Sequence, residues 1–232
     1  MSKSSGKSWL ANKLESGLAQ GLMRAYQTMQ VEPAAYLQHL QRAHRLPVAS
    51  FDEMFAQPPV VLDRIADQTI RATMKVAAVE GTGLGIFGFA SVVPDMAILA
   101  TISLQMMQKL SLIYGFAYRS DQDRAELWLA GASAFGLDMG KEFVEREVLE
   151  RFVPRIIMRI SARMSVEMAE KAAAKIVPVL SSALGGALNY YFVRQWGRRM
   201  KAHMRARHMM VRQQLAARGQ LPAAALLGIE LQ

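Results

Sequence analysis

The sequence contains no cysteine. Disulfide bonds, thiolate metal sites and a cysteine nucleophile are therefore excluded. A secretory signal is also missing, because the start, MSKSSGKSWLANKLESG, lacks the roughly 7–15-residue apolar core of a signal peptide. We therefore expect the protein in the cytoplasm or at the cytoplasmic face of the inner membrane.

Acidic residues are absent from one long stretch of the chain. Between Lys171 and Ile229 there is no Asp or Glu, while ten Lys and Arg residues give this stretch a charge of +10. Because the whole chain carries +9, the remainder sums to −1. The basicity is thus a C-terminal block, which is typical of proteins that meet lipid headgroups or nucleic acid.

No segment alternates apolar and polar residues in the manner of a strand, so the sequence predicts an all-α fold. We expect a compact multi-helix domain with glycine-rich apolar central helices and a long basic C-terminal helix. Residues 1–8 are predicted to be disordered, 9–46 to form N-terminal helices, and 219–232 to form a tail. The main helices are expected at about 9–30, 33–45, 60–80, 94–114, 121–148, from Pro154 onward, and through the basic block to Arg218. Gly115 is expected to end the fourth of these helices, and Ser120 with Asp123 resembles a capping box at the start of the fifth.

Uninterrupted apolar runs are short. The segment from Glu80 to Lys109 has two uncharged runs, 81–94 and 96–108, separated by Asp95. A membrane-spanning helix needs about 20 apolar residues, so a bent hairpin or a buried helical pair fits better than a span. The sequence GLGIFG at 83–88 matches a dinucleotide-binding fingerprint, but the preceding strand and the later acid that the motif requires are missing.

Small residues recur at four-residue spacing in three apolar segments, which is typical of helices in close contact. The predicted packing positions are Gly81, Gly85, Gly88, Gly136, Gly140, Gly185 and Gly186. No metal-ligand set stands out, and the four histidines are expected to be solvated. No cofactor is predicted.

Asp95 has two interpretations. In lipid it would be a functional acid, whereas at the start of a helix its charge would complement the helix dipole. If the protein is an enzyme that acts on lipid or peptide, the first candidates for convergent polar groups are Asp95, Glu80, Tyr114 and Asn189.

The C-terminal helix alternates cations with an apolar stripe. The stripe either faces the core with a solvated basic back, or lies on an anionic membrane surface. For the membrane interpretation the expected contacts are Arg194, Arg198, Arg199, Lys201, Arg205, Arg207 and Trp196. Nucleic acid is a less favoured partner, because the stripe is rich in aliphatic side chains and Met.

Four motifs in order resemble the EcsC family. They are Glu80-Gly81 with the glycine-rich run, Val93-Pro94-Asp95, Ile113-Tyr114-Gly115-Phe116, and Gly185-Gly186-Ala187-Leu188-Asn189. The likeness covers about 47–207, within a domain at 47–218. This bacterial family is named for a protein encoded beside an ATP-binding-cassette transporter linked to secretion, so the resemblance implies a helical fold and a membrane neighbourhood but no reaction.

Members of the family often carry Arg, His or Glu in the helix before the Tyr-Gly pair, where this chain has Gln105, Gln108 and Lys109. This difference argues against an enzyme. The resulting hypothesis is a non-enzymatic, membrane-associated accessory protein with anionic lipids and a membrane transporter as candidate partners; self-association stays open. The alternatives are a soluble helical interaction module, or an enzyme acting on lipid or peptide.

Overall fold

The structure is a computed structural model that describes residues 3–28, 31–84, 92–134, 136–137, 149–174, 182–222 and 225. These residues form seven α-helices and one short 3₁₀ helix, and no strand occurs among them. The all-α prediction is confirmed. The helices are α1 (Lys3–Thr28), α2 (Pro33–His44), α3 (Pro59–Leu84), α4 (Val92–Ile113), α5 (Asp121–Ala134), α6 (Leu149–Ala174) and α7 (Ser182–Ala217), with the 3₁₀ helix at Asp52–Ala56 between α2 and α3.

Helix ends follow local capping chemistry. Ser120 and Asp123 form the predicted capping box of α5: the Ser120 hydroxyl accepts from the Asp123 amide at 3.2 Å, and the Asp123 carboxylate accepts from the Ser120 amide at 2.8 Å. The start of α2 has a cap that the sequence analysis missed, since the Glu32 carboxylate accepts from the amides of Ala34 and Ala35. These bonds satisfy amides that have no partner within the helix.

Three predicted boundaries are wrong. Helix α1 begins at Lys3, inside the segment expected to be disordered. Helix α6 begins at Leu149, so that Pro154 lies within the helix rather than at its start. Helix α5 ends at Ala134 instead of continuing to 148, because Gly136 has φ +70° and the Leu137 amide bonds back to the Ala132 carbonyl.

Helix α4 is the centre of the bundle. It packs against α1, α3 and α7 and also contacts α2 and α5. Its Leu104, Met106, Met107 and Leu110 are fully buried. Because α1 contacts both α4 and α6, the N-terminal helices belong to the same hydrophobic core as the rest of the chain.

Helices α3 and α7 are antiparallel neighbours. Asp67 pairs with Lys201 and Asp63 pairs with Arg205, so the contacts move toward the start of α3 as α7 proceeds. Tyr114, directly after α4, contacts Asp63 near the start of α3, so α4 also runs antiparallel to α3. One end of the bundle, the Tyr114 end, therefore holds the start of α3 and the ends of α4 and α7. The opposite end, the Asn189 end, holds the end of α3 and the starts of α4 and α7.

Candidate functional site

The four polar residues that the sequence analysis selected do not converge. Tyr114 follows the last turn of α4, whereas Asp95 lies near its start, about 28 Å away at 1.5 Å per residue. Glu80 and Asn189 lie in the parts of α3 and α7 that belong to the Asn189 end. Tyr114 therefore lies at one end of the bundle and the other three candidates at the opposite end, so the four do not share one pocket. Asn189 is buried, while the side chains of Glu80 and Asp95 lie outside the described part of the structure.

Tyr114 lies instead in a polar cluster that ties three helices together. Its hydroxyl donates to Asp63 Oδ1 at 2.6 Å, and Arg205 Nε of α7 donates to Asp63 Oδ2 at 2.9 Å. Burial, followed by the hydrogen bond to Asp63, raises the pKa of Tyr114. The phenol therefore stays protonated and acts as a hydrogen-bond donor, which suits a structural cross-link better than a base.

His208 of α7 completes this cluster, contrary to the expectation that all four histidines are solvated. Its ring is fully buried and stacks on Phe55 with 5.1 Å between ring centroids. Its Nδ1 lies 2.9 Å from the Tyr114 carbonyl oxygen, which assigns the proton of a neutral ring to Nδ1. Burial lowers the pKa of His208, and the neighbouring Arg212 acts in the same direction.

Arg212 is the least predictable residue of α7. It counts toward the basic block in the sequence, yet it is 1% exposed. Its guanidinium donates to three backbone carbonyl oxygens, those of Phe55 at 2.9 Å, Gln57 at 2.6 Å and Ala225 at 2.6 Å. Arg212 thereby joins α7 to the segment before α3 and to the C-terminal residues.

Most cations expected at a membrane surface pair with acids inside the molecule. Arg199 binds Glu167 at 2.9 Å, and Arg207 binds Glu126 at 2.6 Å. Lys201 and Arg205 bind the two α3 acids, Asp67 and Asp63, at 2.8 and 2.9 Å. The acids that the C-terminal block lacks are thus supplied by α3, α5 and α6.

The remaining membrane candidates fall into two groups. Arg194 and Arg198 are exposed, and neither pairs with a carboxylate in the described part of the chain. Trp196, by contrast, is 2% exposed and packs in the core, so the expectation of an interfacial tryptophan is wrong. Tyr190 and Tyr191 are exposed, with 41% and 38% of their surface accessible.

Close helix contacts through glycine occur at positions other than those predicted. A Cβ on Gly21 of α1 would lie 2.5 Å from the Ala97 Cα of α4, so only glycine allows this approach. Gly136 is exposed and has nothing within 4 Å of such a Cβ, so its predicted packing role is wrong. Gly81 and Gly185 lie in α3 and α7, and Gly186 is buried in α7. Gly85, Gly88 and Gly140 lie outside the described residues.

Within the described ranges, no group of three His, Asp or Glu side chains is placed to hold a metal ion. None of the helices described in the structure is long and apolar enough to cross a membrane.

Comparison with known proteins agrees with the resemblance in the sequence. The model of the EcsC protein family matches residues 10–209, which extends the likeness to α1 and α2. The chain is also 36% identical over 80 residues to Protein EcsC of Bacillus subtilis (strain 168), a match that spans 34% of each protein. No solved structure matches the chain. Since the family model covers most of its length, the chain belongs to the EcsC protein family.

Proposed function

We propose that the protein is a non-enzymatic accessory protein that docks on an anionic membrane surface, at the cytoplasmic face of the inner membrane. The docking element is the exposed face of the first half of α7, formed by Tyr190, Tyr191, Arg194 and Arg198, which we call the α7 docking face. The observation that supports the proposal is the coincidence of two exposed tyrosines with two exposed arginines that lack a described acidic partner.

The spacing of these residues places them together. Positions 190, 194 and 198 follow one another at four-residue steps, and position 191 lies three before 194, so the four side chains share one side of the helix. Tyrosine prefers the headgroup level of a bilayer because its ring is apolar and its hydroxyl is polar. Arginine beside it can bind lipid phosphates through two hydrogen bonds.

The surroundings of the α7 docking face fit the same purpose. It lies at the Asn189 end of the bundle, where α3 ends and α4 begins. On α3, Val76 and Val79 near this end are also exposed, by 50% and 69%. In the sequence, the segments that follow α3 and precede α7, GIFGFAS at 85–91 and KIVPVLS at 175–181, are predominantly apolar.

Flotation with liposomes tests the proposal. At low salt the protein is expected to float with phosphatidylglycerol vesicles and not with phosphatidylcholine vesicles, and the binding should weaken as salt screens the charges. The double variant Arg194→Glu/Arg198→Glu should bind at least tenfold more weakly, because each cation near an anionic surface contributes about 1 kcal/mol and its reversal adds repulsion.

The matched control is Arg64→Glu/Arg218→Glu. It makes the same change in charge with two exposed arginines at the Tyr114 end of the bundle. Arg199 and Arg205 are unsuitable for the test, since their reversal would break the pairs with Glu167 and Asp63. Equal flotation of the two double variants, or no flotation of the natural protein, would exclude the α7 docking face. Linkage to a transporter or to secretion stays a prediction that rests on the family resemblance.

A further inference from the structure

A groove lies between α2, α3 and α4, outside the four residues of the α7 docking face. Its volume is about 360 Å³, within the range of pockets that bind small molecules. The residues that line it are Tyr36, His39, Ala43 and His44 of α2, Gln68, Thr69, Ala72, Thr73 and Val76 of α3, and Ile102, Gln105, Met106 and Lys109 of α4.

The residues that line the groove favour an anionic ligand. Lys109 contributes a positive charge, and no Asp or Glu is among the lining residues. In the part of the chain that the structure describes, Lys109 forms no ion pair, so its charge is available to a ligand. Gln68 and Gln105 add amide donors. Burial raises the pKa of Tyr36 to about 12, so its hydroxyl also stays protonated.

Polarity changes along the groove. Helices α3 and α4 are antiparallel, and Tyr114 lies beside Asp63. Lys109 of α4 therefore lies level with Gln68 of α3, and Ile102 lies level with Val76, closer to the Asn189 end. One end is therefore cationic and amide-rich, and the other is aliphatic. The aliphatic end points toward the Asn189 end of the bundle.

We propose that this groove binds a small amphiphilic phosphate monoester. Its phosphate lies at Lys109, Gln68 and Gln105, whose ammonium and amide groups can donate hydrogen bonds to the terminal oxygens of a monoester. Its hydrocarbon part lies along Ala72, Val76 and Ile102. The ester can come from a membrane lipid or from a soluble metabolite, and both sources present the same chemistry. The inference does not depend on docking by α7.

Calorimetric titration of the full chain with hexyl phosphate tests this site, with inorganic phosphate and hexanol as partial probes. Hexyl phosphate should bind at least tenfold more tightly than either partial probe, because only it uses both ends of the groove. Lys109→Met should weaken hexyl phosphate binding tenfold or more by removing a charge-assisted hydrogen bond. Lys75→Met, at an exposed lysine of α3 outside the groove, is the matched control.

A second variant tests the contribution of the aliphatic end of the groove by itself. Val76→Ser, at a half-exposed position that tolerates change, should weaken hexyl phosphate about threefold to tenfold and leave inorganic phosphate unaffected. Thermal denaturation verifies that each variant is folded. Failure of hexyl phosphate to bind at millimolar concentration, or equal binding by Lys109→Met and Lys75→Met, would overturn the proposal.

A transfer assay distinguishes the sources of the ester. Removal of phosphatidic acid from vesicles by the natural protein, and not by Lys109→Met, assigns the groove to membrane lipids. Binding of hexyl phosphate without such transfer assigns it to soluble esters. The variant Arg194→Glu/Arg198→Glu should keep its affinity for hexyl phosphate, so failure of the docking proposal and failure of the groove proposal give different results.

Discussion

At the scale of single residues, Arg212 and His208 are the clearest cases in which the burial of a side chain differs from what the sequence indicates. In a helix with seven other Lys, Arg or His side chains between 194 and 207, both read as further solvated polar residues. The fold buries them instead, beside Phe55 and the carbonyl oxygens of the segment before α3. A buried polar group that loses its hydrogen-bond partner costs free energy, so replacing either residue should change the stability of the protein.

Replacing Arg212 with Met should lower the free energy of unfolding by about 3 kcal/mol, because two buried carbonyl oxygens and one partly buried carbonyl oxygen each lose a donor at a cost of roughly 1 kcal/mol. Arg212→Lys should recover only part of the loss, since an ammonium lacks the planar fork that reaches several acceptors. Urea denaturation provides the measurement. The control Arg218→Met, at an exposed arginine directly after the end of α7, should change stability by less than about 0.5 kcal/mol. Similar losses in the two Met variants would contradict the assigned role.

His208 should make stability depend on pH. Its pKa in the folded protein lies below the ordinary value of 6.5, so between these two pKa values the unfolded chain binds more protons than the folded chain. The free energy of unfolding should therefore fall as the pH falls below about 6.5, at up to about 1.4 kcal/mol per pH unit for this group. His44 and His203, whose pKa values burial also lowers, act in the same direction.

His208→Gln keeps a donor for the Tyr114 carbonyl oxygen and cannot titrate, so its stability should vary less between pH 7.5 and 5.5. Urea denaturation across this range measures the slope. His39→Gln, at an exposed ring of α2, serves as the control and should change the slope less than His208→Gln does. An unchanged slope in His208→Gln would show that another group controls the acid response.

At the scale of helices, Gly21 of α1 lies directly against the backbone of α4 at Ala97. Alanine favours a helix over glycine by about 1 kcal/mol, yet Gly21→Ala should destabilise the protein by about 1–3 kcal/mol because the new methyl group meets the α4 backbone. Thermal denaturation should show a lower Tm, by about 2–4 °C per kcal/mol. Asn12→Ala, at an exposed position of α1, isolates the propensity effect and should leave Tm equal or slightly higher. A higher Tm for Gly21→Ala would show that the two helices separate without cost.

At the scale of the whole molecule, the net charge of +9 is less concentrated at the C-terminal block in the folded protein than it is along the sequence. The C-terminal block has no acid of its own, but α3, α5 and α6 place Asp63, Asp67, Glu126 and Glu167 against it. Each pair is partly exposed and contributes little by itself, about 0–1 kcal/mol. These pairs link α7 to three other helices, whereas Arg194 and Arg198, on which the proposed docking depends, pair with no acid in the described part of the chain.

The positions of most helices, and several helix ends, follow from short-range signals in the amino-acid sequence. Periodic apolar residues predicted the helices, the Ser120–Asp123 pair predicted the start of α5, and Gly115 predicted the end of α4, because these signals act between residues a few positions apart. The family was also recognisable from four motifs in order. Helix ends set by less regular signals, such as Lys3 and Leu149, were not found.

Which side chains are in contact depends on the tertiary fold. Asp95, near the start of α4, and Tyr114, directly after its end, are 19 positions apart and therefore lie at opposite ends of the bundle. Asp63 and Arg205 are distant in sequence and in contact. The burial of Arg212, the ion pairs of the basic block and the groove at Lys109 depend in the same way on how antiparallel helices align. Helix register is set by packing over the whole core, and periodicity within one helix carries no information about its neighbour.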